Sequence, residues 1–258
     1  MNIVVCIKQV PELQLVKVSG DSLQLPAGAG QVNPFDAYAL EEALRLREAH
    51  GAAVSALTVG PESAQAVLRE AASLGVEQLY FASDPVFENS DCLATARILA
   101  AAIRKLGSVQ LVITGKQAVD DDSAAVGSAL AGFLGWPQVM FVKKIEAITE
   151  TSAVFHRLSE DGYDVVECPL PAVISVVKEI NEPRLPSLKG KMQAKKVPIT
   201  VWRSADLQLE AGQVGSGSPT TPVSHRPPPA RPPAEMLQGT PAEIAEKLFE
   251  KLRKAQVI

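Results

Sequence analysis

Five short apolar runs recur along the first 143 residues, each separated from the next by a stretch with helical periodicity: Ile3–Ile7, Ala53–Val59, Gln78–Phe81, Val109–Thr114 and Val139–Val142. Val and Ile dominate several of them, with little polar alternation. A strand without a polar side is buried on both faces, and that condition is met by a parallel sheet covered by helices above and below. Between the runs, Asn33 is placed to cap a helix whose first position is Pro34, with Asp36 adding charge to its first turn. Leu40, Ala43 and Leu44 then share one face, and Glu41, Arg45 and Glu48 are expected to face water. Ser63–Ser73, Asn89–Leu106 and Ser123–Leu134 read as further helices, stopped by Gly75, Gly107 and Gly135. This order predicts an α/β fold with an open, mostly parallel, doubly wound sheet and right-handed crossovers.

After residue 143 the pattern changes. Ala153–Leu158, Tyr163–Glu167 and Ala172–Val177 read as successive strands, and Ser159-Glu160-Asp161-Gly162 as the turn of a hairpin extension. A non-repetitive loop over Glu179–Lys196 and a last strand, Pro198–Trp202, complete a domain spanning residues 1–205. Residues 206–239 read as a Pro/Gly/Ser-rich linker, since 211–233 hold seven of the 19 prolines and almost no apolar bulk. Thr240-Pro241-Ala242-Glu243 is a capping box, and Ile244, Leu248 and Leu252 follow on one stripe. Residues 240–258 are therefore an amphipathic helix on a tether, and its stripe must bury on this domain or on a partner.

Composition removes several functions. The net charge is −4 and the sequence pI about 5.5, which argues against nucleic acid as a partner. Cys6, Cys92 and Cys168 lie far apart, and His50, His156 and His225 do not cluster with them, so neither a disulfide framework nor a metal site is expected. The opening MNIVVCIKQVPE is too poor in apolar residues for a signal peptide, and no run approaches the roughly 18 apolar residues of a membrane span. A soluble, cytoplasmic protein without membrane insertion is expected. No histidine has a nucleophile near it in sequence, and HExxH and GxSxG are absent; this favours a binder or carrier over an enzyme.

Three segments lie where strands give way to helices. Gly115-Lys116-Gln117-Ala118-Val119-Asp120-Asp121-Asp122-Ser123 follows a buried strand, the place where open parallel sheets bind ligands. It has neither P-loop nor dinucleotide-fingerprint spacing, and it reads equally as a well-capped helix start. Val59-Gly60-Pro61 is an ordinary turn or a point of close ligand approach, and Asn33-Pro34-Phe35-Asp36 is at least a capped helix. A fourth segment is a basic loop. From Arg184 to Arg203 there are six basic residues and no acidic one, with Leu185, Leu188 and Met192 among them. An apolar anchor ringed by lysines is the composition of a docking device, or of a solvated loop. A stand-alone nucleotide-binding α/β domain and an enzyme acting on adenylates remain open on these observations.

Four stretches, in order, resemble the beta subunit of electron-transfer flavoprotein. They are Val5-Cys6-Ile7-Lys8-Gln9-Val10-Pro11; Asn33-Pro34-Phe35-Asp36 with Ala39-Leu40-Glu41-Glu42-Ala43; Gly115–Asp122; and Leu170-Pro171-Ala172-Val173 running on to Asn181-Glu182-Pro183-Arg184 and Ala194-Lys195-Lys196. The resemblance implies a Rossmann-like, adenine-nucleotide-binding sheet and a non-catalytic electron carrier. It would pair with an alpha subunit, share an FAD with it, and hold a structural AMP itself. Flavin dehydrogenases such as acyl-CoA dehydrogenases would supply electrons, and a membrane quinone oxidoreductase would accept them. By the same resemblance the nucleotide would touch Cys6 through its backbone, Asn33, Pro34, Phe35, Asp36, Val59, and Lys116, Gln117, Ala118, Val119, Asp120, Asp121, Asp122, Ser123, Ala124, Ala125, Val126 and Gly127. Donor docking would fall to Arg184, Leu185, Leu188, Lys189, Lys191, Met192, Lys195 and Lys196, with Leu188 as the anchor. Some relatives bifurcate electrons and bind a second FAD in place of AMP; they tend to carry glycine where this chain has Asp121, which favours AMP. The family's frequent Asn-Gln-Thr-Gly is replaced here by Ala124-Ala125-Val126-Gly127, which leaves backbone rather than side-chain contacts.

Overall fold

The computed structural model describes residues 1–258 apart from 20, 21, 25–29, 225, 230 and 232. Among the described residues nine strands form one sheet: β1 (Asn2–Cys6), β2 (Ala53–Val59), β3 (Gln78–Ala82), β4 (Leu111–Gly115), β5 (Gln138–Ile148), β6 (Ser152–Ser159), β7 (Gly162–Pro169), β8 (Ala172–Val176) and β9 (Ile199–Trp202). Their order across the sheet is β7-β6-β5-β8-β4-β1-β2-β3-β9. From β5 to β9 every neighbouring pair is parallel, and only β5-β6-β7 run antiparallel. The expected doubly wound, mostly parallel sheet with a hairpin extension is therefore the observed one. Two short ribbons, Gln9–Val10 with Gln31–Val32 and Lys17–Ser19 with Ser22–Gln24, stand outside it.

Alternate residues of β1 enter opposite cores. Ile3 and Val5 meet Leu40 and Leu44 of α1 (Pro34–His50) and Leu68 of α2 (Gln65–Ser73) on one face. Val4 and Cys6 meet Ile98 and Ile103 of α3 (Cys92–Leu106) and Leu130 of α4 (Val126–Leu134) on the other. Each fully buried side chain of this size contributes about 1.5–3 kcal/mol, so the two-sided burial of the central strands outweighs any local helix signal.

Several local expectations are corrected. β5 does not stop at Val142 but runs to Ile148. Its first residues pair with β8 and its last with β6, and Phe141 makes the change at a φ of 64° while its N–H donates to Ser175 Oγ at 3.0 Å. α4 begins at Val126, not Ser123, and α3 at Cys92, not Asn89. Glu179–Lys196 is not wholly irregular, since it contains α5 (Leu188–Ala194), capped by Ser187 Oγ, which accepts from the Gly190 N–H at 3.0 Å. The stretch read as a linker is not free at its start: Leu207 and Val214 are buried in the core on the α3 side. Position 225 and the other two omitted positions of the linker lie outside the described residues. The C-terminal helix, α6 (Pro241–Lys254), forms behind its capping box as read, and none of its residues is buried.

Candidate functional site: a crevice at the switch point of the sheet

β1 leads through α1 to β2 and then β3 on one side, whereas β4 returns to lie against β1 on the other. The order reverses between β1 and β4, and the ends of two such strands splay helices apart and leave a crevice. Here it has a volume of about 1340 Å³. Cys6, Val59 and Gly115 mark the strand ends within it, and the first turns of α3 and α4 open onto it.

Asp36 ties these ends together. One carboxylate oxygen accepts from the Lys8 N–H at 2.7 Å and the other from the Gly115 N–H at 3.1 Å. Burial pushes this carboxyl up to about 7, against the pull of those hydrogen bonds. Gly115 is demanded by the approach: a Cβ there would overlap Asp36 Oδ1 and come within 2.7 Å of the Phe35 carbonyl carbon. Asn33 sits at the cap position of α1 but makes no capping bond, which corrects the sequence reading. Its side chain instead donates to Gln117 O at 2.8 Å and accepts from the Val119 N–H at 3.2 Å, holding the 116–122 loop over the end of α1.

The acidic run is turned onto internal partners. Lys8 Nζ lies 2.8 Å from Asp120 and 3.5 Å from Asp121. Burial works to lower the Lys8 pKa, yet the two carboxylates raise it on balance. Asp121 Oδ1 accepts from both the N–H and the hydroxyl of Ser123 at 3.1 Å. Although burial opposes ionisation, these bonds and Lys8 hold its carboxyl below the ordinary range. Asp122 accepts from the Gln117 side-chain amide. With the three charges so engaged, the N–H groups of the first turn of α4, which have no carbonyl partner within the helix, are left to present positive character to the crevice.

Of the residues assigned to a nucleotide, Cys6, Asn33, Asp36, Val59, Lys116, Gln117, Ala118, Asp121, Ser123, Ala124, Ala125, Val126 and Gly127 line the crevice. Pro34 is exposed and Phe35 half-buried, and neither lines it; nor do Val119, Asp120 and Asp122. The Cys6 thiol is buried, and burial followed by the Asp36 charge raises its pKa, so thiolate chemistry is not available to it. Lys8, which the sequence motif contains but does not mark as a site residue, also lines the crevice. The wall made by Asp84, Asn89, Asp91, Cys92 and Pro219–Pro222 is not foreseen by the sequence reading; its one sequence signal is Asp91, a capping residue type near the start of the run read as a helix from Asn89.

The basic loop divides in two. Leu185, Leu188 and Met192 are 91%, 79% and 66% exposed, and Lys189, Lys191, Lys195 and Lys196 are exposed around them. Ala194 is buried, and the Arg69 guanidinium holds the Ala194 carbonyl at 2.8 Å, fastening α5 beside α2. Arg184 is not a surface cation of this group. Its guanidinium grips Glu41 at 2.7 and 3.0 Å and Glu48 at 2.5 and 3.1 Å. Glu41, expected to face water, is 4% exposed for this reason.

Residues 25–207 match the electron transfer flavoprotein domain. The chain is 40% identical over 263 residues to the caffeyl-CoA reductase-Etf complex subunit CarD of Acetobacterium woodii, covering 100% of both chains. It is 37% identical over 262 residues to the electron transfer flavoprotein subunit beta of Thermoanaerobacterium thermosaccharolyticum, again over 100% of both. Protein FixA of Azorhizobium caulinodans is 35% identical over 99% of this chain and 95% of its own. Among the described residues no helix is long and apolar enough to cross a membrane. A family match across most of the chain, full-length relatives and a switch-point crevice agree: the chain belongs to the electron transfer flavoprotein family, as a subunit of beta type.

Proposed function

We propose that this subunit is a non-catalytic half of an electron carrier. It holds an adenine nucleotide in the crevice and offers α5 to flavin dehydrogenases, while electrons travel on an FAD shared with an alpha subunit and leave to a quinone oxidoreductase. The observation that carries the reading is the crevice: the Asp120–Asp122 charges are already matched by Lys8, Ser123 and Gln117, so a phosphate meets backbone N–H groups instead of bare carboxylates. The donor set fits such a group. Lys116 and the backbone of the first turn of α4 line the crevice at this loop, and Gly127 keeps the α4 backbone close, since a Cβ there would lie 3.1 Å from Thr114 Oγ1. FAD, when bound to the pair, supplies the one- and two-electron chemistry.

AMP is the favoured occupant on the sequence, because Asp121 replaces the glycine of relatives with a second FAD. Two observations support that alternative, an electron-bifurcating subunit. Asp121 is folded back onto Ser123, and about 1340 Å³ exceeds the ~300–1,000 Å³ usual for small-ligand sites. Mass spectrometry of the nucleotides released on denaturing the purified heterodimer separates the two. One AMP and one FAD per pair support the first, two FADs the second, and absence of any adenine nucleotide beyond the shared FAD refutes the crevice reading.

A further inference from the structure

The arm that leads to α6 leaves the domain only after crossing the crevice. Val214 is fully buried, and Gly215 follows at a φ of 56°. A Cβ on Gly215 would overlap the Val86 carbonyl oxygen and lie 3.0 Å from that of Glu88, so the turn admits only glycine. The Gly215 N–H donates to Ser90 Oγ at 2.9 Å. Three residues on, Ser218 Oγ accepts from the Asp91 N–H at 3.0 Å. Asp91 Oδ2 then accepts both the N–H and the hydroxyl of Thr220, at 3.0 and 2.7 Å, while Oδ1 accepts the Ala94 N–H at 2.8 Å and caps α3. Pro219, Thr220, Thr221 and Pro222, pinned in this way, form part of the crevice lining. Val223, the next residue, is 99% exposed, and no residue of α6 is buried.

We propose that residues 218–222 are a retaining wall of the nucleotide crevice, and that Asp91 is the positioning residue that latches it. One carboxylate does two tasks: it fixes the start of α3, which lines the crevice, and it holds the arm across the same opening. Bonds to an ionised acceptor are stronger than neutral ones, and Pro219, between the anchors at Ser218 and Thr220, limits the ways the arm can loosen. The nucleotide leaves only when the wall does, so its rate of departure is set by residues that need not touch it. This rests on the crevice being the nucleotide site, as proposed above.

The test uses the full chain purified with its alpha subunit. Exchange of the bound nucleotide against excess isotopically labelled AMP and FAD is followed by rapid gel filtration and mass spectrometry. Hydrogen exchange of residues 214–222 is recorded on the same samples. The Ser218→Ala/Thr220→Val double variant leaves the Asp91 cap on α3 intact. It should speed nucleotide exchange at least tenfold and deprotect 214–222, and Thr220→Ser should restore the slow rate. Asp91→Asn places an amide against the Thr220 N–H and should act in the same direction as the double variant. Nucleotide exchange within twofold of wild type, with 214–222 deprotected, overturns the wall; protection unchanged in the double variant overturns the latch. A wild-type pair whose crevice carries no nucleotide fails differently, by refuting the site itself.

Discussion

Arg184 provides the sharpest test of how the docking loop is held. Glu41 has a side chain only 5% exposed, Arg184 is 34% exposed and Glu48 53%. In Arg184→Met the Glu41 carboxylate stays buried with Arg45 Nε, 3.0 Å away, as its remaining cation. Removing one partner of a fully buried pair costs about 3–5 kcal/mol, and the surviving Arg45 contact together with the partial exposure of Arg184 brings this below that range, to about 2–3 kcal/mol. Glu41→Gln leaves Arg184 with Glu48 and solvent, and should cost about 1–2 kcal/mol. A double-mutant cycle on these two should return a coupling of about 2 kcal/mol, read from urea midpoints at constant slope. Glu48→Gln, on an exposed carboxylate, should barely move the midpoint. The pH dependence has a definite sign. Burial opposes ionisation of Glu41, yet the Arg184 bonds hold its carboxyl below the ordinary range. A depressed folded value means the stabilisation is present above the ordinary carboxylate range and is lost as pH falls through the folded value. The coupling should therefore be flat from neutral pH down to mild acid and vanish in strong acid. A coupling under about 0.5 kcal/mol, or Glu48→Gln matching Arg184→Met, would refute the buried clasp.

Three further outcomes follow from the same geometry. Leu188→Ala should severely slow electron uptake from a partnering dehydrogenase while leaving the flavin spectrum intact, because the side chain is 79% exposed on a helix fastened from beneath; unchanged saturation kinetics in stopped-flow would remove α5 from docking. Gly115→Ala should unfold at lower urea by about 1–3 kcal/mol and lose nucleotide, since the new methyl group overlaps Asp36 Oδ1 and the α1 backbone; wild-type stability would show that α1 can yield. Asp36, pushed up to about 7 by burial, favours its protonated form in the fold, so its contribution is fullest in acid and is lost as pH rises through about 7. The shift from an unfolded value near 3.9 sets an upper limit of about 4 kcal/mol on that loss. Urea titrations from pH 4 to 8 should show wild type falling more steeply than Asp36→Asn up to about pH 7 and running parallel to it above, and profiles parallel throughout would count against it.

The layered sheet was legible because its strands are buried on both faces. Runs such as Ile3–Ile7 and Ala53–Val59 have no polar side to mislead, and β1 sends Ile3 and Val4 into different cores. Helix starts were legible only where local chemistry decides them. Thr240 and Glu243 satisfy each other within one turn, so the start of α6 was found. Ser123-Ala124-Ala125 has good helix propensity but is spent on a loop, with Asp122 and Ala124 at φ values of 56° and 51°. Tertiary demands on that loop, from Asn33 and Lys8, override propensity there.

The same distinction separates the parts of the site that were read from those that were not. Asn33–Asp36 and Lys116–Gly127 are contiguous, and a contiguous motif survives in one dimension. Their binding partners do not. Lys8 reaches Asp120 across 112 positions, Arg184 reaches Glu41 across 143, and Asp91 reaches Thr220 across 129. Glu41 is a charged residue that periodicity assigns to water, and all three pairs are engaged because the switch point and its crossovers bring distant ends together. In such a fold a charge near a strand end or helix start is better read as a candidate fastener than as a solvated face. Asp91 shows why: a carboxylate that already caps a helix has a second oxygen, and chain passing over the crevice supplies the donors for it.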